Sequence, residues 1–221
     1  VSHGRQITPV TVNINSYFSQ DQKNAIMAAF NNWQHSSNNT TGVTFSFTSN
    51  STPISGSNTY QVNYQTPSIG NAQGETFQFQ TSDGSRLDRA VTNIDPRVTD
   101  LTAMTQAMAH EIGHTMGITD CDTCCNGVSV MTGSSGDYND TTSGRVDPGP
   151  CDVATANQTL GTPVSSGGGG GSGGGSYGGG YCTPYYLVWY ESWDGGETWY
   201  ETGEVDSLIP RQLAAGSPNR N

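Results

Sequence analysis

Basic residues are scarce in this chain. Its 221 residues hold a single lysine, Lys23, and only 8 lysines and arginines in all against 19 aspartates and glutamates, for a net charge of −11. Phosphate binding needs clustered Lys and Arg, so nucleic acid is excluded as the expected partner. Long apolar runs are missing too. No stretch approaches the roughly 20 residues that a helix needs to cross a bilayer, so no membrane span is expected. The start, Val1-Ser2-His3-Gly4, lacks the basic and apolar segments of a signal peptide. What is abundant is Ser, Thr, Asn, Gln and Gly, which suits an extracellular protein. The expectation is a secreted mature form, freed of its export signal, acting as a monomer.

Histidine is sparse as well, and two of the four histidines fall in one short stretch, His110-Glu111-Ile112-Gly113-His114-Thr115-Met116-Gly117-Ile118-Thr119-Asp120. Residues four apart share one face of an α-helix, so His110 and His114 can offer both imidazoles to one ion. Catalytic zinc takes three protein ligands and keeps a position for water. Glu111 lies beside the first ligand and is placed to accept a proton from that water. Gly117 suits a left-handed helix end, after which the chain can turn and bring Asp120 back as the third ligand. Two histidines and a carboxylate form a known catalytic zinc set. A bare His-Glu-x-x-His match means little, because two histidines on a helix are often ordinary core or surface residues. The full pattern through Gly117 and Asp120 is far more specific. His3 and His35 have no such setting and read as a terminal and a helix-end residue.

On these residues the chain resembles the metzincin clan of zinc endopeptidases, and its Asp120 is most similar to the third ligand of small secreted members of the snapalysin kind. The resemblance covers about residues 6–161. It implies His110, His114 and Asp120 as zinc ligands, Glu111 as general base, and Met131, in Ser129-Val130-Met131, as the methionine of the turn beneath the metal. Several metzincins carry a tyrosine two residues after that methionine. Here the position is Gly133, and Tyr138 is the nearest candidate for a hydroxyl that stabilises the transition state, although an ordinary loop tyrosine is the plainer reading.

The pattern along the chain agrees with that half of the fold. Ile7–Ile14 alternates and is rich in β-branched residues. Asp21 can cap a helix running to about Gln34, with Ile26, Ala29, Phe30 and Trp33 at helical spacing. Val43–Thr48, Tyr60–Gln65, Glu75–Gln80 and Arg89–Asp95 read as strands. Asp100 starts the zinc helix, with Leu101, Met104, Met108 and Ile112 on its buried side, and Asp147–Leu160 is the C-terminal helix. The expected class is α+β. The resemblance implies a twisted, mixed five-stranded sheet with two helices in the N-terminal half, then the Met-turn and the C-terminal helix below the cleft. It also implies that an edge strand above the cleft pairs with extended substrate, and position makes Glu75, Thr76, Phe77, Gln78, Phe79 and Gln80 that strand.

Cys121, Cys124, Cys125 and Cys151 follow the zinc helix, and Cys182 stands apart. A metal or redox reading of the Cys-x-x-Cys-Cys cluster is open. The favoured one is disulfides that tie the loop between Asp120 and Met131 to the C-terminal helix through Cys151. Between Glu111 and Asp152 lie seven acidic residues and one basic, Arg145. This is either a solvated face, a field that favours basic or neutral peptides, or, through Asp137, Asp140 and Asp147, a weak candidate for Ca²⁺.

The expected domains are a peptidase domain over 1–161, a Gly/Ser-rich linker over 162–180, an aromatic hairpin over 181–209 and a disordered tail over 210–221. Within the hairpin, Ser192-Trp193-Asp194-Gly195-Gly196-Glu197-Thr198-Trp199 resembles an Asp-box, and its Asp-Gly suits a hairpin turn. The leading expectation is a zinc endopeptidase acting on protein or peptide substrates. One alternative is a binding protein whose aromatic hairpin is the working part and whose zinc site is silent. Another is a zinc hydrolase acting on non-peptide amides or esters.

Overall fold

The computed structural model describes residues 9–36, 41–81, 86–122, 125, 129–133, 137–141, 144–159, 190–191 and 200–201. The chain divides into two compact units, Ser2–Pro184 and Tyr185–Asn221.

In the larger unit five strands form one sheet: β1 (Val10–Ile14), β2 (Phe45–Thr48), β3 (Thr59–Tyr64), β4 (Gly74–Gln80) and β5 (Leu87–Ile94), in the order β2-β1-β3-β5-β4. All neighbours are parallel except β4, which runs antiparallel to β5 at the edge. The sheet is therefore mixed, as expected, and the strands begin and end within two or three residues of their expected limits. Ile7 lies outside the described residues.

Two helices pack on the sheet, α1 (Gln20–His35) and α2 (Leu101–Thr115). Their contact is pinned where the fully buried Trp33 donates its indole N–H to the Ala109 carbonyl at 2.8 Å. Phe30 of α1 meets Phe45, Phe47 and Tyr60 edge-on, which seats that helix over β1–β3. Such edge-to-face pairs add a little stability beyond the area they bury. The opposite face of the sheet carries an amide chain instead. Asn13 donates to Gln61 at 2.9 Å, Gln61 to Asn63 at 3.0 Å and Asn63 to Asn93 at 3.1 Å.

Two helix starts differ from expectation. The cap of α1 is Ser19, not Asp21. Ser19 and Gln22 bond each other's backbone N–H reciprocally, satisfying two donors, while Asp21 sits in the first turn. The third helix, α3, is Pro150–Thr159 rather than starting at Asp147. Proline disfavours a helical residue before it and fits the first helical position, so the helix opens at Pro150. Asp152 then reaches back to the Gly149 N–H at 2.8 Å. Leu101, expected on the buried side of α2, is 43% exposed. It holds the first position of the helix, at the rim of a shallow groove beside Asp21 and Ala25.

In the smaller unit, β6 (Tyr190–Glu191) and β7 (Tyr200–Glu201) pair antiparallel. They flank the Asp-box-like stretch. That stretch, the Gly/Ser run, Cys124, Cys182, His3 and the C-terminal tail lie outside the described residues.

Candidate metal centre

Asp100 caps α2 by accepting the N–H groups of Thr102 and Ala103 at 2.8 and 2.9 Å. The helix then carries His110 and His114 on successive turns, with Glu111 next to the first. It ends where expected. Gly117 is left-handed at φ 78°, its N–H bonds the His114 carbonyl at 2.9 Å, and the Ile118 N–H bonds the Gly113 carbonyl at 3.1 Å. This paired closure satisfies the last carbonyls and reverses the chain. It returns Asp120 to the two histidines.

Each imidazole is oriented by its Nδ1, which lies 3.0 Å from the Val130 carbonyl in His110 and 2.9 Å from the Ile118 carbonyl in His114. The Nε2 atoms are thereby turned to Asp120, whose Oδ1 is 2.8 Å from His110 and 3.5 Å from His114. One ligand atom from each of the three residues lies within 4.8 Å of the other two. Two ligands on tetrahedral zinc, each about 2.0–2.1 Å from the ion, stand about 3.3 Å apart. The donor set and its spacing therefore fit that metal. Metal-bound histidines typically give their other ring N–H to a carbonyl, as both do here.

Burial pushes the His110 imidazole toward lower pKa, but its bond to Asp120 and the charges of Glu111 and Asp120 outweigh that and raise it. The same bond holds the Asp120 carboxyl below the usual range, against the opposing effect of burial. Among the described residues no second group of three potential ligands gathers. Asp137, Asp140 and Asp147 do not form one, and Asp137 Oδ1 accepts the Asn139 N–H at 3.0 Å.

The site opens into a cleft of about 420 Å³. One wall is Gly74–Phe77 of the edge strand, and the other includes Val130, Thr132 and Gly133. Met131 is fully buried beneath α2. A Cβ on Gly113 would come within 2.2 Å of the Met131 sulfur, so a glycine between the two histidines lets the helix settle on this turn. The turn is fastened to α3. The buried Asp152 accepts the Ser129 hydroxyl at 2.5 Å and the Val130 N–H at 3.4 Å. Cys125 and Cys151 form a disulfide in the expected place, tying the loop before Met131 to the same helix.

Of the edge strand, Thr76 and Gln78 point to α2. Thr76 donates to Glu111 Oε2 at 2.6 Å and Gln78 to the His114 carbonyl at 2.9 Å. Phe77 and Phe79 alternate to the exposed side, with the Arg89 guanidinium 4.1 Å over the Phe79 ring. Glu75 accepts the N–H and hydroxyl of Ser68. Tyr138 is not brought to this group. Its hydroxyl donates to Asn71 at 3.3 Å, its ring lies under Arg97, and it is not among the residues that line the cleft. Sequence reasoning missed Gly74, Tyr60, Thr92 and Asp152. Their signal was faint: a threonine or glycine on the inward side of a strand, and an acidic third residue of a helix.

Fold, helix end and donor set together define a zinc metallopeptidase of the metzincin type, a hydrolase acting on protein or peptide substrates. Residues 4–143 match the family model Reprolysin_5, metallo-peptidase family M12, and the chain belongs to that family. Among solved structures, the archaemetzincin of Methanopyrus kandleri is similar. It is 12% identical, with 70% of this chain and 99% of that chain covered and a TM-score of 0.48. No curated protein matches the chain.

Proposed function

We propose that the chain is a secreted endopeptidase that cleaves extended protein substrates along the outer edge of β4, with Glu111 as general base. The observation that carries this reading is the convergence of His110, His114 and Asp120 at one point, with the Glu111 carboxylate beside it in the same cleft. Zinc, when bound, supplies a Lewis acid that lowers the pKa of a water toward about 7 and polarises the scissile carbonyl.

The protein's part is to hold and to move a proton. His110 and His114 would hold the ion through Nε2 and Asp120 through a carboxylate oxygen. Glu111 takes the proton from the attacking water and passes it to the leaving amine. Among the described residues β4 is the last strand of the sheet, beside β5 alone. A substrate laid along the outer edge of β4 gains main-chain hydrogen bonds that are largely indifferent to side chains, which suits unfolded proteins. Export is supported by the Cys125–Cys151 disulfide, since such bonds persist in oxidising surroundings. The aromatic C-terminal unit is then a separate module joined through the Gly/Ser-rich stretch.

Glu111→Ala tests the proposal. The variant should bind zinc as the parent does and lose nearly all hydrolysis of casein, a drop of about 10²–10⁴-fold for a lost acid–base group. Equal turnover by the variant would remove Glu111 from its role.

A further inference from the structure

The inner faces of β3, β5 and β4 bring three hydroxyls together behind Glu111. Thr76 and Thr92 are directly opposed across β4 and β5, and their hydroxyl oxygens are 2.7 Å apart. Tyr60, on the next strand, is opposite Ala90 and reaches diagonally to Thr92, with its hydroxyl also at 2.7 Å. Thr76 in turn donates to Glu111 Oε2 at 2.6 Å. Tyr60 and Thr92 are fully buried. Burying hydroxyls there is costly unless each is bonded, so the row calls for an explanation.

The direction of the row follows from counting protons. An ionised carboxylate only accepts, and each hydroxyl has one hydrogen to give. Thr76 spends its hydrogen on Glu111 and so accepts from Thr92. Thr92 has then spent its own and accepts from Tyr60. Burial, above all, pushes the Tyr60 phenol far up, so the head of the row keeps its proton. Gly74 completes the seat: a Cβ there would stand 2.6 Å from Glu111 Oε1 and 2.9 Å from its carboxyl carbon.

We infer that Tyr60, Thr92 and Thr76 form a one-way hydroxyl relay that positions the Glu111 carboxylate for proton abstraction. The inference rests on the reading of Glu111 as general base. Oε2 is occupied as an acceptor from the sheet side, which leaves Oε1 as the oxygen that receives the water's proton. The three are positioning residues, since none touches substrate. Serial hydroxyls polarise one another, so the effect of each should fall with distance from Glu111.

The test uses the zinc-loaded full chain and a quenched peptide, measuring kcat, KM and zinc content. Thr76→Val, which keeps shape and β-branching, should lower kcat about 10–100-fold with KM and zinc within about twofold. Thr76→Ser should recover kcat to within about threefold of the parent, because the hydroxyl is restored. Thr92→Val and Tyr60→Phe should lose progressively less, about tenfold and about threefold. Unchanged kcat in Thr76→Val, or equal loss in Thr76→Ser, overturns the relay.

A control with Glu111→Gln separates the two readings. If it turns over normally, the general base is wrong. If it is inactive while Thr76→Val is unimpaired, only the relay is wrong. Should Thr76→Val not fold, the ordered loss in Thr92→Val and Tyr60→Phe carries the test, and unchanged kcat in both overturns the relay. Metal-free protein gives a readout apart from activity. The Tyr60 hydroxyl proton should exchange slowly with water in NMR spectra, and its resonance should move on Glu111→Gln. An unmoved resonance speaks against the relay.

Discussion

Strands β1 and β3 present Val12, Ile14 and Val62 to the helices, whereas β5 and β4, further across the same face, present Thr92, Thr76, Gln78 and Gly74. The first set packs as a hydrocarbon layer and bonds to nothing. Within the second, Thr76 bonds the Glu111 carboxylate, Gln78 bonds the His114 carbonyl, and Gly74 leaves space for Glu111. One continuous sheet thus serves as core under α1 and as supporting shell under the C-terminal half of α2. The change occurs within two strands, so substitutions on the two sides should be read out by different measurements.

The largest effect belongs to the hydrocarbon side. Ile14 is 1% exposed, and Ile14→Ala removes buried methyl and methylene groups from a close-packed layer. It should cost about 2–5 kcal/mol of stability while zinc affinity and kcat of the folded fraction stay near the parent's. Urea unfolding monitored beside peptide cleavage checks both. A folded variant with a deep loss of kcat would mean that the two halves are not separable.

Gly74→Ala probes the other side. The added methyl collides with Oε1, Cγ and the carboxyl carbon of Glu111 at 2.6, 2.8 and 2.9 Å. Glu111 must leave its seat, and a misplaced catalytic group costs about 10²-fold in rate. The expected outcome is a kcat drop of that order with zinc content and urea midpoint little changed. An unfolded variant would show instead that the seat is structural before it is catalytic.

Which of these features could be read from the sequence follows from how far apart their parts lie. The three candidate ligands lie within 11 consecutive residues, from His110 to Asp120, and helix periodicity with one left-handed glycine is enough to bring them together. Strand β4 is legible from its alternation, its edge position only from the family resemblance, and the staple through Cys151 from its place after the zinc helix. The hydroxyl row is not, because it depends on the register of three strands separated by up to 32 positions, and one residue of slip would turn Thr92 to the other face. Ser19 and Asp21 are both good capping residues, and only the partner Gln22 distinguishes them. Tyr138 is near Met131 in sequence, yet its hydroxyl donates to Asn71.

The smallest effect is expected where the hydroxyl side is anchored. Asp95 follows β5, and its N–H bonds the Gln73 carbonyl at 2.9 Å, fixing the start of the edge strand next to Gly74. Its carboxylate has no exposed side-chain surface and accepts the Arg97 backbone N–H at 2.8 Å and guanidinium bonds at 2.9 and 2.7 Å. The Arg97 hydrogen bond, opposed by burial, holds that carboxyl below its ordinary value. A depressed carboxyl stabilises the fold fully above its unfolded pKa, about 3.9, and loses the contribution as pH falls through the lower folded value. Arg97 is half exposed, so solvent and salt trim the bond. Asp95→Asn should therefore be modestly less stable than the parent by a constant margin from about pH 5 to 8, and the margin should shrink below about pH 4. Chemical unfolding of both proteins across that range gives the margin directly. A margin that widened toward acid would reverse the sign and place Asp95 in a site that favours its protonated form. Cleavage at neutral pH should change less than in Gly74→Ala, because the Gln73 contact is made by the backbone and survives the substitution.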